Sequence, residues 1–324
     1  MNKLYLLLIF SFILKISAQG PYAPDAETSG TTAIHYEDGQ FISWASGCEV
    51  TRGLQDIADP SLGYASVGTN ADAVGKPTTN GVVSLGDGGY AILTFEKPIF
   101  NGAGFDFAVF ENSFNHTFLE LAFVEVSSDG VNYVRFPSVS LTQTTTQIDG
   151  FGDVDPTNIN NLAGKYKALY GTPFDLEELK DEPNLDVNNI THIKIMDVVG
   201  SINPTYARYD SQGNIINDPY NTPFASGGFD LDAVGVIHTT LSLQKNELTS
   251  TQIFPNPAKE FLTIQLDVLG EKLISLTDIN GKEVKNTSTK NIHYLLSVSD
   301  LERGIYFMKI YTDKAVLMRK IVLE

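Results

Sequence analysis

Residues 228–237 read GFDLDAVGVI, and residues 104–112 read GFDFAVFEN. Both segments open Gly-Phe-Asp and run on into Ala-Val. Alternation with a period of two marks a strand, because successive side chains point to opposite faces. In the earlier segment Phe105, Phe107 and Val109 fall on one face and Asp106, Ala108 and Phe110 on the other. In the later one Asp230 and Asp232 share a face, about 7 Å apart at the rise of a strand, opposite Phe229 and Leu231. A carboxylate in an apolar strand must find a partner, since burying an unpaired charge costs several kcal/mol. Two such strands, far apart in the chain, predict a sheet protein whose carboxylates converge.

The neighbouring sequence extends this pattern. Strand-like runs at 82–85, 90–95, 104–110, 119–126 and 133–136 are separated by Gly-Asp-Gly-Gly, Asn-Gly and Asp-Gly turn signals. Close spacing with turns between is the all-β sandwich or barrel pattern. Residues 119–136, LELAFVEVSSDGVNYVRF, form the clearest hairpin. Residues 138–189 interrupt the strands, first with a Thr/Gln-rich run and then a Gly/Asp-rich one. Within them Thr172-Pro173-Phe174-Asp175 predicts a short helix, with Thr172 as N-cap and Leu176 and Leu179 facing inward. Residues 201–227 are a second irregular stretch. Long insertions between strands are where binding residues tend to sit.

At 324 residues a prior of about 150 residues per domain gives two domains. Lys+Arg 22 against Asp+Glu 39 makes the net charge −17. The surplus is local: residues 19–249 hold 10 basic and 30 acidic residues, while residues 250–324 hold 10 and 9. An acidic surface repels phosphate backbones and anionic lipid, so nucleic acid is not an expected partner. Acidity also serves solubility alone. Residues 1–18 predict a secretory signal peptide: Lys3, an apolar run over 4–14 too short to span a bilayer, and Ile16-Ser17-Ala18 before the cut. No other stretch is long and apolar enough for a membrane span. Cys48 is the single cysteine, which excludes an intrachain disulfide and a cysteine-based zinc site.

Three strand segments, 119–136, 190–199 and 228–237, resemble discoidin-like and carbohydrate-binding jelly rolls. LAGKYKALYGTPFDL (162–176), DPYNTPFASGGFDLDAV (218–234) and FAVFEN (107–112) together resemble a group of uncharacterised secreted bacterial proteins. That resemblance names no reaction. After a polar linker at 239–251, the composition changes. Ile253-Phe254-Pro255-Asn256-Pro257-Ala258, then 261–266, ISLTDINGKEV at 274–284, Leu301-Glu302-Arg303-Gly304-Ile305-Tyr306 and 318–324 resemble the type A C-terminal sorting domain of type IX secretion substrates of Bacteroidota. The resemblance implies a small β-sandwich, the type IX machinery as partner, and passage through the periplasm to the outer surface. The local physics agrees: Leu262, Ile264 and Leu266 share a face, and Asn280-Gly281 predicts a type I′ hairpin turn.

The expected architecture is therefore all-β: a signal peptide at 1–18, a jelly-roll-like β-sandwich with long loop insertions at 19–238, a linker at 239–251, and a small Ig-like sandwich sorting domain at 252–324. Asp106, Glu111, Asn112, Asp230 and Asp232 are the expected metal ligands, with calcium the ion that six to eight oxygens would suit. The competing reading pairs these acids with Arg135 and Arg208. Trp44, Tyr206, Tyr209 and Tyr220 are the expected stacking platforms for a sugar, where an apolar ring face meets a polar rim. Glycoside hydrolysis would need two carboxylates about 5–10 Å apart, and Glu111 with Glu125 is the pair considered. No H-E-x-x-H or G-x-S-x-G is present. The leading expectation is a secreted, cell-surface, non-enzymatic binding or adhesion module. Carbohydrate is the ligand class considered, with calcium as a stabilising ion. A glycan-acting hydrolase and a purely structural surface protein are the alternatives.

Overall fold

A computed structural model describes residues 20–239, 251–266, 270–312 and 316–324. The expected signal peptide and nearly all of the expected linker lie outside the described residues. The chain divides into two compact units, residues 1–240 and 241–324.

Among its described residues the first unit carries β1 (Ile34–His35), β2 (Ser43–Trp44), β3 (Gly47–Thr51), β4 (Val83–Ser84), β5 (Tyr90–Ile99), β6 (Phe107–Glu111) and β7 (Ala122–Ser127). Then come β8 (Val134–Arg135), β9 (Val139–Ser140), β10 (Ile159–Asn160), β11 (Tyr170–Phe174), β12 (Ile190–Asp197) and β13 (Asp230–Val236). One main sheet runs β1-β11-β6-β13-β2, with β4 also on β13, and the other runs β3-β5-β12-β7-β8, while β10 and β9 pair as a separate two-stranded ribbon. All pairings within the two sheets are antiparallel.

The alternation read from the sequence sets the faces. Phe107 and Val109 of β6 turn into the main core with Phe174, Val234 and Val236 of their own sheet. They meet Leu93, Val124, Val126, Ile193 and Ile195 of the other sheet, so the core fills the space between two sheets. Ala108 and Phe110 face outward and are covered by Tyr36, Phe41 and Trp44. On the outer side of β7, Phe123 joins Ile148, Val154, Ile159, Leu162 and Ile216 in a satellite core. Residues 138–189 thus hold an apolar cluster of their own that docks them on the sandwich.

Two local expectations are corrected. Residues Tyr170–Phe174 form β11 rather than a helix start, because Thr172 and Pro173 pair with Val109 and Ala108 of β6. The helical turn is a 3₁₀ segment at Leu176–Leu179 capped by Asp175, whose side chain accepts the Glu177 N–H. In the second unit, the loop at Asn280-Gly281 spans residues 278–282, and of the two residues only Gly281 takes a positive φ, +80°. A type I′ turn needs both positive. Here the Asp278 carboxylate accepts the Asn280 and Lys282 N–H groups and closes a wider loop.

The second unit carries β14 (Gln252–Phe254), β15 (Phe261–Gln265), β16 (Lys272–Thr277), β17 (Glu283–Thr289), β18 (His293–Ser297), β19 (Gly304–Tyr311) and β20 (Val316–Leu323). They form sheets β14-β15-β18 and β17-β16-β19-β20. Leu262, Ile264 and Leu266 pack against Ile274, Leu276, Met308, Ile310 and Ile321 between them. This is a small all-β sandwich with its own core.

Candidate functional site

Two pockets open at the end of the first sandwich where β6 finishes and β13 begins. Buried aspartates build this end. Asp197, at the end of β12, accepts the Gly88, Val199 and Phe229 N–H groups at 2.8–2.9 Å. Asp218 accepts the Leu121 N–H at 2.8 Å, and Asp87 accepts that of Ile57 at 2.7 Å. A carboxylate is an acceptor with room for several donors, so it serves loops whose N–H groups have no strand partner.

The first pocket encloses about 530 Å³ and is lined by Asp56, Gln147, Ser201, Asn203, Tyr206, Tyr220 and Asn221. The Tyr220 hydroxyl donates to Asp56 Oδ1 at 3.0 Å, and Asn221 Nδ2 to Asp56 Oδ2 at 2.7 Å. Burial alone would raise the Asp56 carboxyl; the bonds from Asn221, the Ala58 N–H and Tyr220 outweigh it and hold it below its usual value. Asp56 is therefore ionised at neutral pH. Burial and that carboxylate push the Tyr220 hydroxyl up, so it stays a donor.

The second pocket encloses about 230 Å³. Its floor holds Glu111, Glu120 and Asp230, with Asn112, Thr222 and Ser226 beside them. Glu111, the last residue of β6, is 2% exposed and accepts the Ser113 N–H at 2.7 Å. Asp230, the first residue of β13, accepts from the Ser84 hydroxyl. Burial pushes its carboxyl up to about 6 against the pull of Ser84 and Arg52. Glu120 is 7% exposed and makes no hydrogen bond or ion pair among the described residues. Burial, then the charges of Glu111 and Asp230, push its carboxyl well above the ordinary range. No Lys or Arg lines the pocket. The nearby Arg52 guanidinium is taken up by the carbonyls of Val67, Ser84 and Gly68.

Phenylalanines from three loops form the mouth. Phe114 stacks on Phe118 with centroids 4.4 Å apart, Phe118 lies 6.0 Å from Phe151, and Phe151 lies 5.9 Å from Phe224. Phe114, Phe151 and Phe224 are 69%, 68% and 45% exposed and Phe118 is 7% exposed, so three rings face solvent around a buried fourth.

The structure brings some expected residues together and separates others. Tyr206 and Tyr220 share the first pocket, and Glu111, Asn112 and Asp230 share the second. Asp232 is set apart by a bulge: Leu231 pairs with Glu111 and Ala233 with Phe110, so one extra residue sits on β13. Among the described residues its Oδ1 meets only the Thr78 N–H, at 3.4 Å. Asp106 lies at the opposite end of β6 from Glu111. There it accepts the Gly102 and Leu176 N–H groups and lies 2.7 Å from His238 Nδ1. Trp44 packs on the outer face against Phe41 and Phe110. Tyr209 bridges to Ile215 and lines neither pocket. Glu125 is held by Arg135 at 2.7 Å and Lys194 at 3.0 Å on the other sheet, so it does not face Glu111 across a cleft. Among the described residues, no three His, Cys, Asp or Glu side chains are grouped as metal ligands.

Sequence reasoning passed over Glu120, Asp56, Asn203, Asn221 and the four phenylalanines. A faint signal was present for some. Phe114 stands between Ser113 and Asn115, Phe151 stands between two glycines, and Glu120 sits between two leucines.

An all-β protein with its own C-terminal sandwich and a two-pocket loop end is what the fold and site define. Residues 252–324 match the family described as the secretion system C-terminal sorting domain. They are a type IX sorting domain, which implies export to the cell surface or the extracellular space. The family match does not extend to the N-terminal unit, and its discoidin-like resemblance is not part of it. No curated protein matches the chain. Among solved structures, the chain is similar to PorZ of Porphyromonas gingivalis, a surface component of the type IX secretion system. The identity is 14% over 44% of this chain and 24% of that one, with a TM-score of 0.22. It is also similar to a Ruminococcus gnavus β-glucuronidase (11%, 80% and 38%, TM-score 0.21) and to the BSP domain of a biofilm-associated protein (13%, 88% and 52%, TM-score 0.20). The chain spans about a quarter to about half of these proteins' lengths. At such TM-scores none of them carries weight for this chain's fold or activity. No helix of the described residues is long and apolar enough to cross a membrane.

Proposed function

We propose that this is a cell-surface protein whose N-terminal sandwich is a non-enzymatic binding module for carbohydrate, delivered by its sorting domain. The strand orders β4-β13-β6-β11 and β5-β12-β7-β8 support reading the sandwich as a jelly roll. The observation that carries the ligand class is the first pocket. Two tyrosines stand beside a hydrogen-bonded ionised carboxylate and the amides of Gln147, Asn203 and Asn221. Tyrosine rings offer apolar faces to the C–H faces of a sugar ring, and amides with a carboxylate supply the donors and acceptors its hydroxyls need.

A glycan array probed with the purified chain tests this. Saturable binding is expected, lost in Tyr206→Ala and in Asn203→Ala with the melting temperature unchanged. Binding to no glycan, or binding that both variants retain, would refute the carbohydrate reading. Calcium, expected from the sequence at Asp106, Glu111, Asn112, Asp230 and Asp232, remains a separate proposal, and of these Glu111, Asn112 and Asp230 share a pocket. Its test is the melting temperature with and without chelator, where a bound ion at a hundredfold excess over Kd stabilises by about 2.7 kcal/mol.

A further inference from the structure

We infer that the phenylalanine-rimmed pocket over Glu111, Glu120 and Asp230 binds a primary alkylammonium group, its apolar stem lying between the phenylalanine rings. This site is distinct from the tyrosine pocket and stands or falls independently of it.

Three features select the ligand. The floor presents three carboxylates and the lining contains no cation. Glu120 is more than nine-tenths buried, faces into the pocket and lacks any partner among the described residues. A buried carboxylate in that state calls for a cation from outside the chain. The mouth, by contrast, is apolar and aromatic: Phe114, Phe118, Phe151 and Phe224 form a continuous row of rings. Nothing in the packing of the sandwich requires Phe114 and Phe151 to stand in solvent.

A neutral sugar matches this poorly, because it brings no positive charge to a floor of three carboxyl groups. A bare metal ion also matches poorly. Calcium takes six to eight oxygens at short range. No three carboxylates here are grouped to hold a metal, and four of the eight other lining residues are phenylalanines. An ammonium head supplies three N–H donors for the carboxylates. Its charge and adjoining methylenes suit ring faces, which attract cations and exclude water from an apolar stem. The chemistry is shared by a free alkylamine and by a lysine side chain on a peptide.

Isothermal titration calorimetry on the full chain tests the inference with n-butylammonium, an acetylated lysine-containing peptide, the same peptide with Nε-acetyl-lysine, n-butanol and calcium chloride. Saturable binding of at least one ammonium probe is expected, with neither neutral analogue binding. Binding of both ammonium probes indicates recognition of the ammonium wherever it is carried; binding of the peptide alone indicates a lysine displayed on a polypeptide. Glu120→Gln should weaken binding at least about tenfold without lowering the melting temperature, because Gln keeps the side chain's size and the carboxyl has no partner among the described residues to lose. Phe151→Ala, at an exposed position that leaves the core intact, should weaken it several-fold. The inference is overturned if neither ammonium probe binds up to about 10 mM, if the neutral analogues bind equally, or if Glu120→Gln leaves ammonium affinity unchanged. Calcium binding that depends on Glu120 while both ammonium probes stay silent would assign the pocket to a metal instead. Tyr206→Ala should leave ammonium binding intact, which separates this site from the carbohydrate reading.

Discussion

Asp87 and Asp129 are the same side chain under opposite conditions. Asp129 stands in the open Ser127–Asn132 turn, where the Asn132 and Val131 N–H groups hold its carboxyl well below the usual range. Asp87 is 6% exposed, and burial together with the nearby Asp197 pushes its carboxyl up to about 8. Its folded value lies above the unfolded one, so the folded state keeps a proton that the unfolded chain gives up. Asp87 therefore costs nothing below about pH 4, and its cost grows as pH rises from there to about 8. Asp87→Asn keeps an acceptor for the Ile57 N–H and removes the titration. Melting temperatures at pH 5 and pH 8 should differ by several degrees less in the variant than in the parent. An unchanged difference would show that Asp87 is ionised in the fold and compensated, with Arg208 the cation at hand.

At the level of the element, β13 and its entry set the geometry of the acidic pocket. Phe229 and Leu231 point into the core as the alternation predicts, but the next inward residue is Val234. The extra residue is the bulge, and it displaces Asp232 from the floor that Asp230 joins. Entry to the strand is equally specific. Gly228 takes φ of +71°, and a Cβ there would stand 2.9 Å from the backbone carbon of Gly86 and 3.0 Å from Asp197 Oδ1. Only glycine accepts both the left-handed backbone and that approach. Gly228→Ala should cost about 2 kcal/mol or more in urea denaturation. A parental midpoint would mean that the 86–89 turn yields easily.

For the molecule as a whole, two units with separate cores imply separable tasks. The main core draws only on residues before 240, and the sorting domain's core only on residues after 252. Deleting residues 253–324 should leave the N-terminal unit folded and still exported across the inner membrane, but stranded in the periplasm. Cell fractionation with surface proteolysis checks this. Truncated protein found on the surface would remove the sorting role from these residues.

Much of this was written locally. Period-two alternation at 104–112 and at 229–231 told which residues face the core, because pleating is a property of the strand itself, and beyond 231 the bulge reversed it. The sorting domain was legible as a resemblance carried by short sequence blocks, although the turn at Asn280-Gly281 is not of the expected type. The surplus of acid was legible too, but its use was not. Only tertiary structure decided that Asp197 and Asp218 would tie loops, that Asp106 would pin the far end, and that Glu120 would stay unpaired. It also decided that Tyr220 would reach Asp56, 164 residues away, and that phenylalanines of three loops would meet over one floor. The physical reason is common to all of these. Strands that alternate between two sheets bring distant loops to one end, and whether a carboxylate there is held, repelled or left open depends on neighbours that no local pattern names.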